Sequence, residues 1–314
     1  MRAAVCPAYG PPEVVEVRKM PEPESGAVRV RVVAAAVNFP DVLLVAGRYQ
    51  VRVPPPFVVG SEFAGVVAAA GGGFAAGERV TGTGITGAFA ELVRADPTAL
   101  RRIPDGLPFD VAAAAGVAHG TAYHALRAVA RVGAGDRVIV LGAGGGVGLA
   151  AVQLATALGA EVTAVASTPE KRAAARAGGA AATVDPKGDL RAALRTVLPD
   201  GAQAVIDPVG GELAEPALRA LARGGRYVTI GFASGVIPRI PLNLVLIKGI
   251  QVLGFQFGDL DPDLYRRHRT ELAALLADGT VRPHIGARYP LAETPAALRL
   301  VADGRAVGKV LIEP

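Results

Sequence analysis

The chain has 314 residues, of which 51% are hydrophobic and 19% are charged, with a formal net charge of +5. This length accommodates two domains, and this composition excludes an intrinsically disordered protein. The charge permits anionic ligands such as nucleotide phosphates but does not by itself indicate nucleic acid. The one cysteine, Cys6, excludes an internal disulfide and a cysteine-rich zinc site.

The first residues, MRAAVCPAYG, contain no apolar core of signal-peptide length, and the lone cysteine suits a reducing compartment. We therefore expect a cytoplasmic protein. Residues 138–160 are uncharged and long enough to span a bilayer, but five glycines lie between Gly142 and Gly148. A strand, a turn and a helix explain this stretch better, so we predict no membrane association.

The first third of the chain is predicted to be rich in β-strands. In residues 27–37, valines at 28, 30 and 32 alternate with arginines at 29 and 31, which is the period of a half-buried strand. Residues 110–130 are rich in alanine and predict helices that lead into a second domain.

From residue 138 onward, apolar strands alternate with helical segments, which predicts an α/β fold with a doubly wound parallel sheet. The predicted strands are residues 138–141, 162–167, 182–184, 204–207, 227–231 and 250–255, and the predicted helices are residues 147–158, 169–178, 190–197 and 215–222. We expect a β-rich first domain over residues 1–115, a nucleotide-binding domain over 116–258, and a return to the first domain over 259–314.

A glycine cluster between the strand at 138–141 and its helix predicts a dinucleotide-binding turn. The spacing is Ala143-x-Gly145-x-x-Gly148, so alanine stands in place of the first conventional glycine. Such glycines tighten the turn, bring backbone close to a pyrophosphate and let the helix pack on the strand. The amides at the start of the helix, at Gly146 and Val147, favour phosphate oxygens. The alternative is a turn with a purely structural role.

The end of the next strand indicates which dinucleotide binds. An NAD site usually has an acid there for the ribose 2′-hydroxyl, whereas this strand ends VAS-TPEKR. Ser167, Lys171 and Arg172 are suited to a 2′-phosphate through charge-assisted hydrogen bonds. The alternative for Lys171 and Arg172 is a solvated helix face. Thr168 is expected to cap the following helix, and Glu170 then lies in the first helical turn, where the helix dipole favours an acid. We therefore predict NADPH.

These motifs, with VNFPDVLLVAGRYQ (37–50), PFVVGSEFAGVV (56–67), GAFAELVRAD (87–96) and the closing GKVLI, resemble one family over the whole chain. The chain resembles the zinc-free quinone oxidoreductases (ζ-crystallin-like) of the medium-chain dehydrogenase/reductase superfamily. This resemblance implies a GroES-like catalytic domain built from both ends of the chain, a Rossmann domain inserted between them, and a cofactor cleft between the two. It also implies a homodimer paired through an edge strand, for which residues 250–255 are the candidate.

The residues at the expected zinc positions favour the zinc-free branch. Zinc relatives have an early cysteine, a G-H-E motif and a four-cysteine lobe, whereas here the cysteine position falls within Asn38–Asp41, the motif is Gly60-Ser61-Glu62 and the lobe is absent. Serine is a poor zinc ligand, and the four histidines show no ligand spacing, so we predict no metal. We expect Glu62 to be a buried structural acid bonded to backbone or to an arginine.

By the same resemblance, the catalytic candidates are Asn38, Asp41, Tyr49 and Tyr123, with Thr121 beside the cofactor. Asn38 is expected to bond the nicotinamide ribose or the substrate oxygen, and Tyr49 to donate to that oxygen. The alternatives are packing roles with satisfied hydroxyls for both tyrosines. For Asp41 the alternative is a cap on the following helix.

The remaining cofactor candidates follow later strands. Gly210, in the segment DPVGG, is expected to approach the cofactor, and Ile230, Phe232, Phe255 and Phe257 to flank the nicotinamide. Lys309 in GKVL either reaches a phosphate or is a solvated lysine, and we favour the solvated lysine.

Two departures from the family pattern bear on the substrate. Leu43 and Val45 stand where several relatives have Tyr and Arg, which leaves fewer polar groups in the pocket and equally suits the acyl part of an unsaturated ketone or thioester. Pro186 replaces a family tyrosine near the adenosine phosphate.

We therefore predict an NADPH-dependent reductase of quinones or similar conjugated carbonyls. The alternatives are an enone or enoyl-thioester reductase and a non-catalytic NADPH-binding protein. The basic run at residues 265–269, YRRHR, is predicted to be a solvated helix face rather than a nucleic-acid patch, because no aromatic stacking platform accompanies it.

Overall fold

The computed structural model describes residues 1–23, 28–256 and 260–314. Phe257, one of the predicted nicotinamide neighbours, lies outside these described residues. Within them the strands are β1 (Arg2–Cys6), β2 (Glu16–Lys19), β3 (Val28–Val37), β4 (Phe57–Val58), β5 (Glu62–Ala69), β6 (Arg79–Thr83), β7 (Leu92–Ala95), β8 (Leu100–Arg102), β9 (Arg137–Leu141), β10 (Glu161–Val165), β11 (Ala182–Val184), β12 (Ala202–Asp207), β13 (Leu221–Thr229), β14 (Gln251–Leu253), β15 (Ile285–Pro290) and β16 (Lys309–Glu313). The α-helices are α1 (Phe39–Val45), α2 (Phe109–Ala115), α3 (Ala118–His124), α4 (Gly146–Ala157), α5 (Pro169–Ala177), α6 (Leu190–Val197), α7 (Ala214–Arg219), α8 (Leu242–Lys248), α9 (Pro262–Ala277) and α10 (Thr294–Ala302).

The chain forms two compact units. The first contains Met1–Ala118 together with Ile285–Pro314, and the second contains His119–His284. The second unit is thus inserted, in sequence, between the two parts of the first.

The first unit is built on two sheets whose strands pair antiparallel, except that β15 and β16 are parallel. Its larger sheet has the order β15-β16-β3-β5-β6-β8, with β7 also paired to β3, and its smaller sheet has the order β2-β1-β4. The valines at 28, 30 and 32 are all buried in β3, as their alternation with arginine predicts. The C-terminal strand β16 pairs with β3, which places Lys309 at the end of β3 from which α1 begins.

The second unit is a six-stranded parallel sheet with the order β11-β10-β9-β12-β13-β14. The central strand β9 is buried from Val138 to Leu141, as an apolar run in a sheet covered on both faces requires. The strand order reverses between β9 and β12, and ligands of such sheets bind beyond the carboxyl ends of the strands at this point. Strand β14 is at an edge, as predicted for residues 250–255.

The two compact units divide the chain at positions that differ from the predicted domain boundaries. The first junction lies at 118/119 rather than 115/116, and the second lies at 284/285 rather than 258/259. The larger difference arises because α9 belongs to the second unit. Glu271 of α9 accepts a hydrogen bond of 2.6 Å from the Tyr123 hydroxyl, and His268 lies 3.2 Å from His124 between their Nδ1 atoms. Strands β15 and β16 do return to the first unit.

Candidate active site

The glycine turn has the geometry that its spacing predicts. It follows β9, and α4 begins at Gly146. A Cβ at Gly148 would lie 2.1 Å from the carbonyl oxygen of Gly142, so only glycine allows the helix to pack this closely on the turn. Ala143, in the first glycine position, is buried, and its amide donates to Val165 O at 3.0 Å. The alanine therefore fits, and it ties the turn to β10.

Lys171 lies across this turn. A Cβ at Gly144 would meet the side-chain carbons of Lys171 at 2.4–2.9 Å, so the glycine leaves room for the lysine stem. Burial of the lysine lowers its pKa from the ordinary value. The structure thus brings Lys171 from α5 to the loop that starts α4, which spacing alone does not specify.

The segment after β10 differs from the prediction in two respects. The strand ends at Val165, so the exposed Ser167 lies in the loop, and Thr168 caps α5 by accepting from the Lys171 amide at 3.3 Å. Arg172 is not on a solvated face, since its Nη1 donates to Asp185 Oδ2 at 2.8 Å and to Ala166 O at 2.9 Å. The sequence signal that we missed is Asp185, the first residue after β11, because parallel neighbours end at the same edge of the sheet.

The carboxyl edge of the sheet also holds the loop after β12. The buried carboxylate of Asp207 accepts the amides of Val209 and Gly210, each at 2.8 Å, and the Tyr227 hydroxyl donates to its other oxygen. Gly210 has φ +68°, and a Cβ there would lie 2.9 Å from Val236 O. A buried acid thus holds this loop in a conformation that requires glycine.

The apolar cofactor candidates follow β13 and β14 at the same edge. The Ile230 amide donates to Asp207 O at 2.8 Å, while Phe232 is partly exposed. The Phe255 ring packs on His124 with ring centroids 4.7 Å apart. Parallel topology therefore brings the turn at 142–148, Ser167, Gly210, Ile230, Phe232 and Phe255 to one edge, as an open α/β sheet predicts.

Two candidates on α3 are buried in the second unit. Thr121 is buried, and the hydroxyl of Tyr123 donates to Glu271. Burial and this carboxylate raise the pKa of Tyr123 to about 12. The structure therefore favours the packing role with a satisfied hydroxyl for Tyr123.

In the first unit, Lys309 lies at the centre of a buried polar cluster, which we call the Lys309 cluster. It contains Asn38, Asp41, Ser61, Glu62 and Lys309. The Lys309 Nζ donates to Glu62 Oε1 at 2.7 Å and to Asn38 Oδ1 at 2.6 Å. Its side chain is only 3% exposed, so the expected solvated lysine is wrong, and the contacts with Glu62 and Asn38 favour a structural role over the expected phosphate ligand. Its partners lie on β5 and at the end of β3, far away in sequence.

Glu62 is a buried structural acid, as expected, but its cationic partner is Lys309 rather than an arginine. Its other oxygen, Oε2, accepts the Val117 amide at 2.8 Å. The Asn38 side-chain amide is engaged at both ends, because its Nδ2 also donates to Glu62 Oε1 at 2.9 Å and to Ser61 Oγ at 3.2 Å. This geometry favours a positioning role for Asn38 over the expected bond to a ribose or substrate oxygen.

Asp41 is the one carboxylate of the Lys309 cluster without a close cation, among the described residues. It is fully buried, and its Oδ2 accepts the Asn38 backbone amide at 2.7 Å, which caps α1 as the alternative interpretation predicts. Its Oδ1 has no hydrogen-bond partner within the part of the chain that the structure describes. Burial raises the pKa of Asp41 to about 7, although the Asn38 amide, the neighbouring Ser61 hydroxyl and the Lys309 charge oppose this rise.

Tyr49 is half-buried and packs beside the apolar core of the first unit. Burial and the nearby negative charge of Asp41 raise its pKa. The structure therefore joins Asn38 and Asp41 by a hydrogen bond, and Tyr49 is near enough to be affected by the charge of Asp41. Val45, predicted to line a substrate pocket, lies in the core instead, whereas Leu43 is half-buried.

The donor set at the expected zinc positions does not fit a zinc ion. Asn38 and Ser61 are hydrogen-bonded to each other, and the Glu62 carboxylate is neutralised by Lys309. Elsewhere in the described ranges, no group of three or more His, Cys, Asp or Glu side chains is arranged to hold a metal. Zinc sites in proteins need four such ligands, or three and a water.

The basic run on α9 is partly buried. His268 contacts His124, and Arg266 pairs with Asp263 at 2.9 Å, while Arg267 is exposed. This arrangement agrees with a structural helix rather than a nucleic-acid surface. Among the helices in the described ranges, none has the length and apolarity needed to cross a membrane.

Comparison with known proteins identifies related sequences and folds. The family described as "Alcohol dehydrogenase GroES-like domain" matches residues 24–105, and the one described as "Zinc-binding dehydrogenase" matches residues 146–277. Quinone oxidoreductase-like protein 2 of Bos taurus is 36% identical over 321 residues, covering 99% of this chain and 92% of its own length.

Two further proteins are similar over nearly the whole chain. The crystal structure of Escherichia coli quinone oxidoreductase complexed with NADPH superposes with a TM-score of 0.90 at 26% identity, covering 100% of both chains. The polyketide synthase GfsB of Streptomyces halstedii is 36% identical over 293 residues, which cover 92% of this chain and 5% of that protein.

Proposed function

Because the chain belongs to the quinone oxidoreductase-like family of the medium-chain dehydrogenase/reductase superfamily, we propose that it reduces quinones or similar conjugated carbonyls with NADPH, without zinc. The observation that carries this proposal is the glycine turn with Lys171 across it and no acid at the end of β10. The similar Escherichia coli enzyme was crystallised with NADPH.

The two cations near the turn take different parts in binding the 2′-phosphate. Lys171 and the exposed Ser167 are the direct phosphate ligands. Arg172 shares its charge with Asp185 and bonds Ala166 O, so it holds the loop at 166–168 in place. A carboxylate on this loop would repel the phosphate dianion, which is why its absence favours NADPH over NADH.

The Lys309 cluster supports the proposal that the reaction needs no zinc. A buried ammonium already neutralises Glu62, and amide and hydroxyl groups occupy the other positions where zinc relatives have ligands. Polarisation of a substrate carbonyl must then come from hydrogen-bond donors. Acceptors activated by conjugation need the least polarisation, and quinones and enones belong to this class.

When bound, NADPH supplies a hydride from C4 of its nicotinamide. The reduced acceptor also needs a proton, and we assign its delivery to Tyr49 and Asp41. Tyr49 donates a hydrogen bond to the acceptor oxygen. Asp41 supplies the proton, since the pKa of Asp41 is about 7 and the carboxyl group can hold or release a proton near neutral pH. Asn38 positions Asp41 through its backbone amide, while the ammonium of Lys309 fixes the Asn38 side chain.

A second candidate function is reduction of enoyl thioesters. The similarity to a polyketide synthase over 92% of this chain favours it, and so does the half-buried Leu43 in place of a polar residue. Both reactions use the same cofactor and differ in the acceptor atom that receives the hydride.

The experiment is a steady-state panel of 1,4-quinones, enones and enoyl thioesters, each measured with NADPH and with NADH. We expect the highest kcat/KM for a quinone with NADPH, and a selective loss with NADPH in Lys171→Ala. Lys19→Ala, which removes an exposed lysine from β2 of the first unit, is the matched control. A higher kcat/KM for enoyl thioesters than for quinones would select the second function. Binding of NADPH without turnover of any acceptor would contradict both.

A further inference from the structure

A cavity in the second unit lies on the side of the parallel sheet opposite the glycine turn. It has a volume of about 320 Å³, and it is lined by the segment before β12 and by the first residues of β13. Because the strands are parallel, these are the amino-terminal ends of the sheet, whereas the glycine turn follows the carboxyl end of β9. The cavity is therefore distinct from the cofactor edge.

Five cationic side chains line this cavity, which we call the basic cavity. They come from α6, α7, β13 and α8, and they are Arg191, Arg195, Arg219, Arg223 and Lys248. One carboxylate, that of Asp200, lies among them, and it is paired with Arg137 at 3.5 Å.

Contacts within the chain provide partners for only some of these cationic side chains. Lys248 donates to the carbonyl oxygens of Arg219 and Leu221, each at 2.7 Å, and so closes the end of α7. Arg219 pairs with Glu215 at 2.6 Å along α7. Arg223 donates to the Ile247 carbonyl oxygen at 3.0 Å. Within the described residues, no carboxylate forms a salt bridge with Arg191, Arg195 or Arg223, and all three side chains are exposed. Arg191 and Arg195 lie one turn apart on α6. Their positive charges therefore repel each other.

The uncompensated charge affects its neighbours. Burial lowers the pKa of Lys248, and the positive charges of Arg191 and Arg219 lower it further. Like charges held together in a folded protein repel, and an anion placed among them relieves that repulsion. The cluster is thus arranged for an anion that this chain does not itself provide.

We propose that the basic cavity binds a small oligophosphate, a ligand with at least two linked phosphoryl groups. Arginine forks recognise phosphate oxygens through paired hydrogen bonds, and four of the five cations are arginines. The volume is at the lower end of that of small-molecule sites, which suits a compact anion. An extended nucleic acid would instead need a basic stripe along the surface. This inference does not depend on the proposed reductase activity.

The test is calorimetric titration of the NADPH-saturated protein with pyrophosphate at constant ionic strength, followed by the same titration with ADP. We expect saturable binding of pyrophosphate, one per chain. The double variant Arg191→Gln/Arg195→Gln should weaken this binding at least about tenfold, because each removes charge-assisted hydrogen bonds. Binding of ADP with similar affinity would identify the linked phosphates as the recognised group in both free and nucleotide-borne form.

The matched control is Arg266→Gln/Arg267→Gln, which removes the same charge from exposed positions on α9. It should leave pyrophosphate binding unchanged. The proposal is overturned if pyrophosphate does not saturate, if both double variants lose affinity equally, or if ADP binds and pyrophosphate does not. It is also overturned if Lys171→Ala abolishes pyrophosphate binding while Arg191→Gln/Arg195→Gln does not, since the ligand would then occupy the cofactor site.

Discussion

At the scale of single residues, the contacts of Lys309 hold a buried polar cluster together in the first unit. A lysine at the start of the last strand is expected to be solvated, because lysine is seldom fully buried unless it is paired. Its carboxylate partner, Glu62, is 247 residues away, and only the pairing of β16 with β3 brings the two together. Tertiary pairing of this kind cannot be predicted from local pattern.

Replacing Lys309 by methionine should therefore destabilise the protein by about 3–5 kcal/mol, because it leaves the buried Glu62 charge without a partner. The double variant Lys309→Met/Glu62→Gln should recover most of the loss, since the charge is removed with its partner. Urea unfolding measures both changes. A loss below about 1 kcal/mol in the single variant would mean that the pair is hydrated, as surface pairs are.

The buried Asp41 predicts a pH-dependent stability. Burial raises its pKa from 3.8 to about 7, so the folded state holds the proton more tightly than the unfolded chain. Its contribution is present in full below pH 3.8 and is lost as the pH rises through about 7. Between about pH 5 and pH 8, the wild type should lose about 2–3 kcal/mol relative to Asp41→Asn, which does not titrate. Parallel stability profiles of the two proteins in urea would rule out this assignment.

The residue that tests the phosphate site is Ser167. Ser167→Asp places a carboxylate where an NAD site has one, so it should lower kcat/KM for NADPH by tenfold or more, about 1.4 kcal/mol, and spare NADH. Thr270→Asp adds the same charge on the exposed face of α9 and serves as the control. Equal losses with both cofactors would remove Ser167 from the phosphate site.

At the scale of elements, the parallel sheet was predicted within a few residues, because buried strands are apolar runs bounded by turns. The main errors lie where tertiary contacts decide. Residues 221–222 were predicted as helix but begin β13, and α9 was assigned to the first domain although His268 packs against His124, 144 residues earlier. Of the site, the glycine turn and the group of Asn38, Asp41 and Tyr49 were predicted, while the Arg172–Asp185 and Lys309–Glu62 pairs were not.

We propose that the protein forms a homodimer in which two copies pair through the edge strand β14. Val252 is exposed there, and the neighbouring helix α8 exposes Leu242, Leu246 and Ile247. Two copies paired through β14 would use the same patch of each copy, so Val252→Glu would place two charges in the interface. Val252→Glu should therefore shift the protein from dimer to monomer in analytical ultracentrifugation, whereas Ile85→Glu, at an exposed position of the first unit, should not. A monomeric wild type would contradict this pairing.

At the scale of the whole molecule, the two units contain different candidate sites. The second unit provides a nucleotide edge on one side of its sheet and the basic cavity on the other. In the first unit, the ammonium of Lys309 bonds the Glu62 carboxylate and the Asn38 amide oxygen, and we propose that Asp41 exchanges the proton in place of metal chemistry. The central claim is therefore that hydride transfer from NADPH to a conjugated acceptor needs no metal here.

The most direct measurement is the rate of NADPH oxidation by a 1,4-quinone after extended dialysis against a chelator, with the metal content of the same sample measured by mass spectrometry. We predict an unchanged kcat at substoichiometric zinc, because no step depends on a metal-bound oxygen. Loss of activity on chelation, with recovery on addition of zinc, would contradict the account.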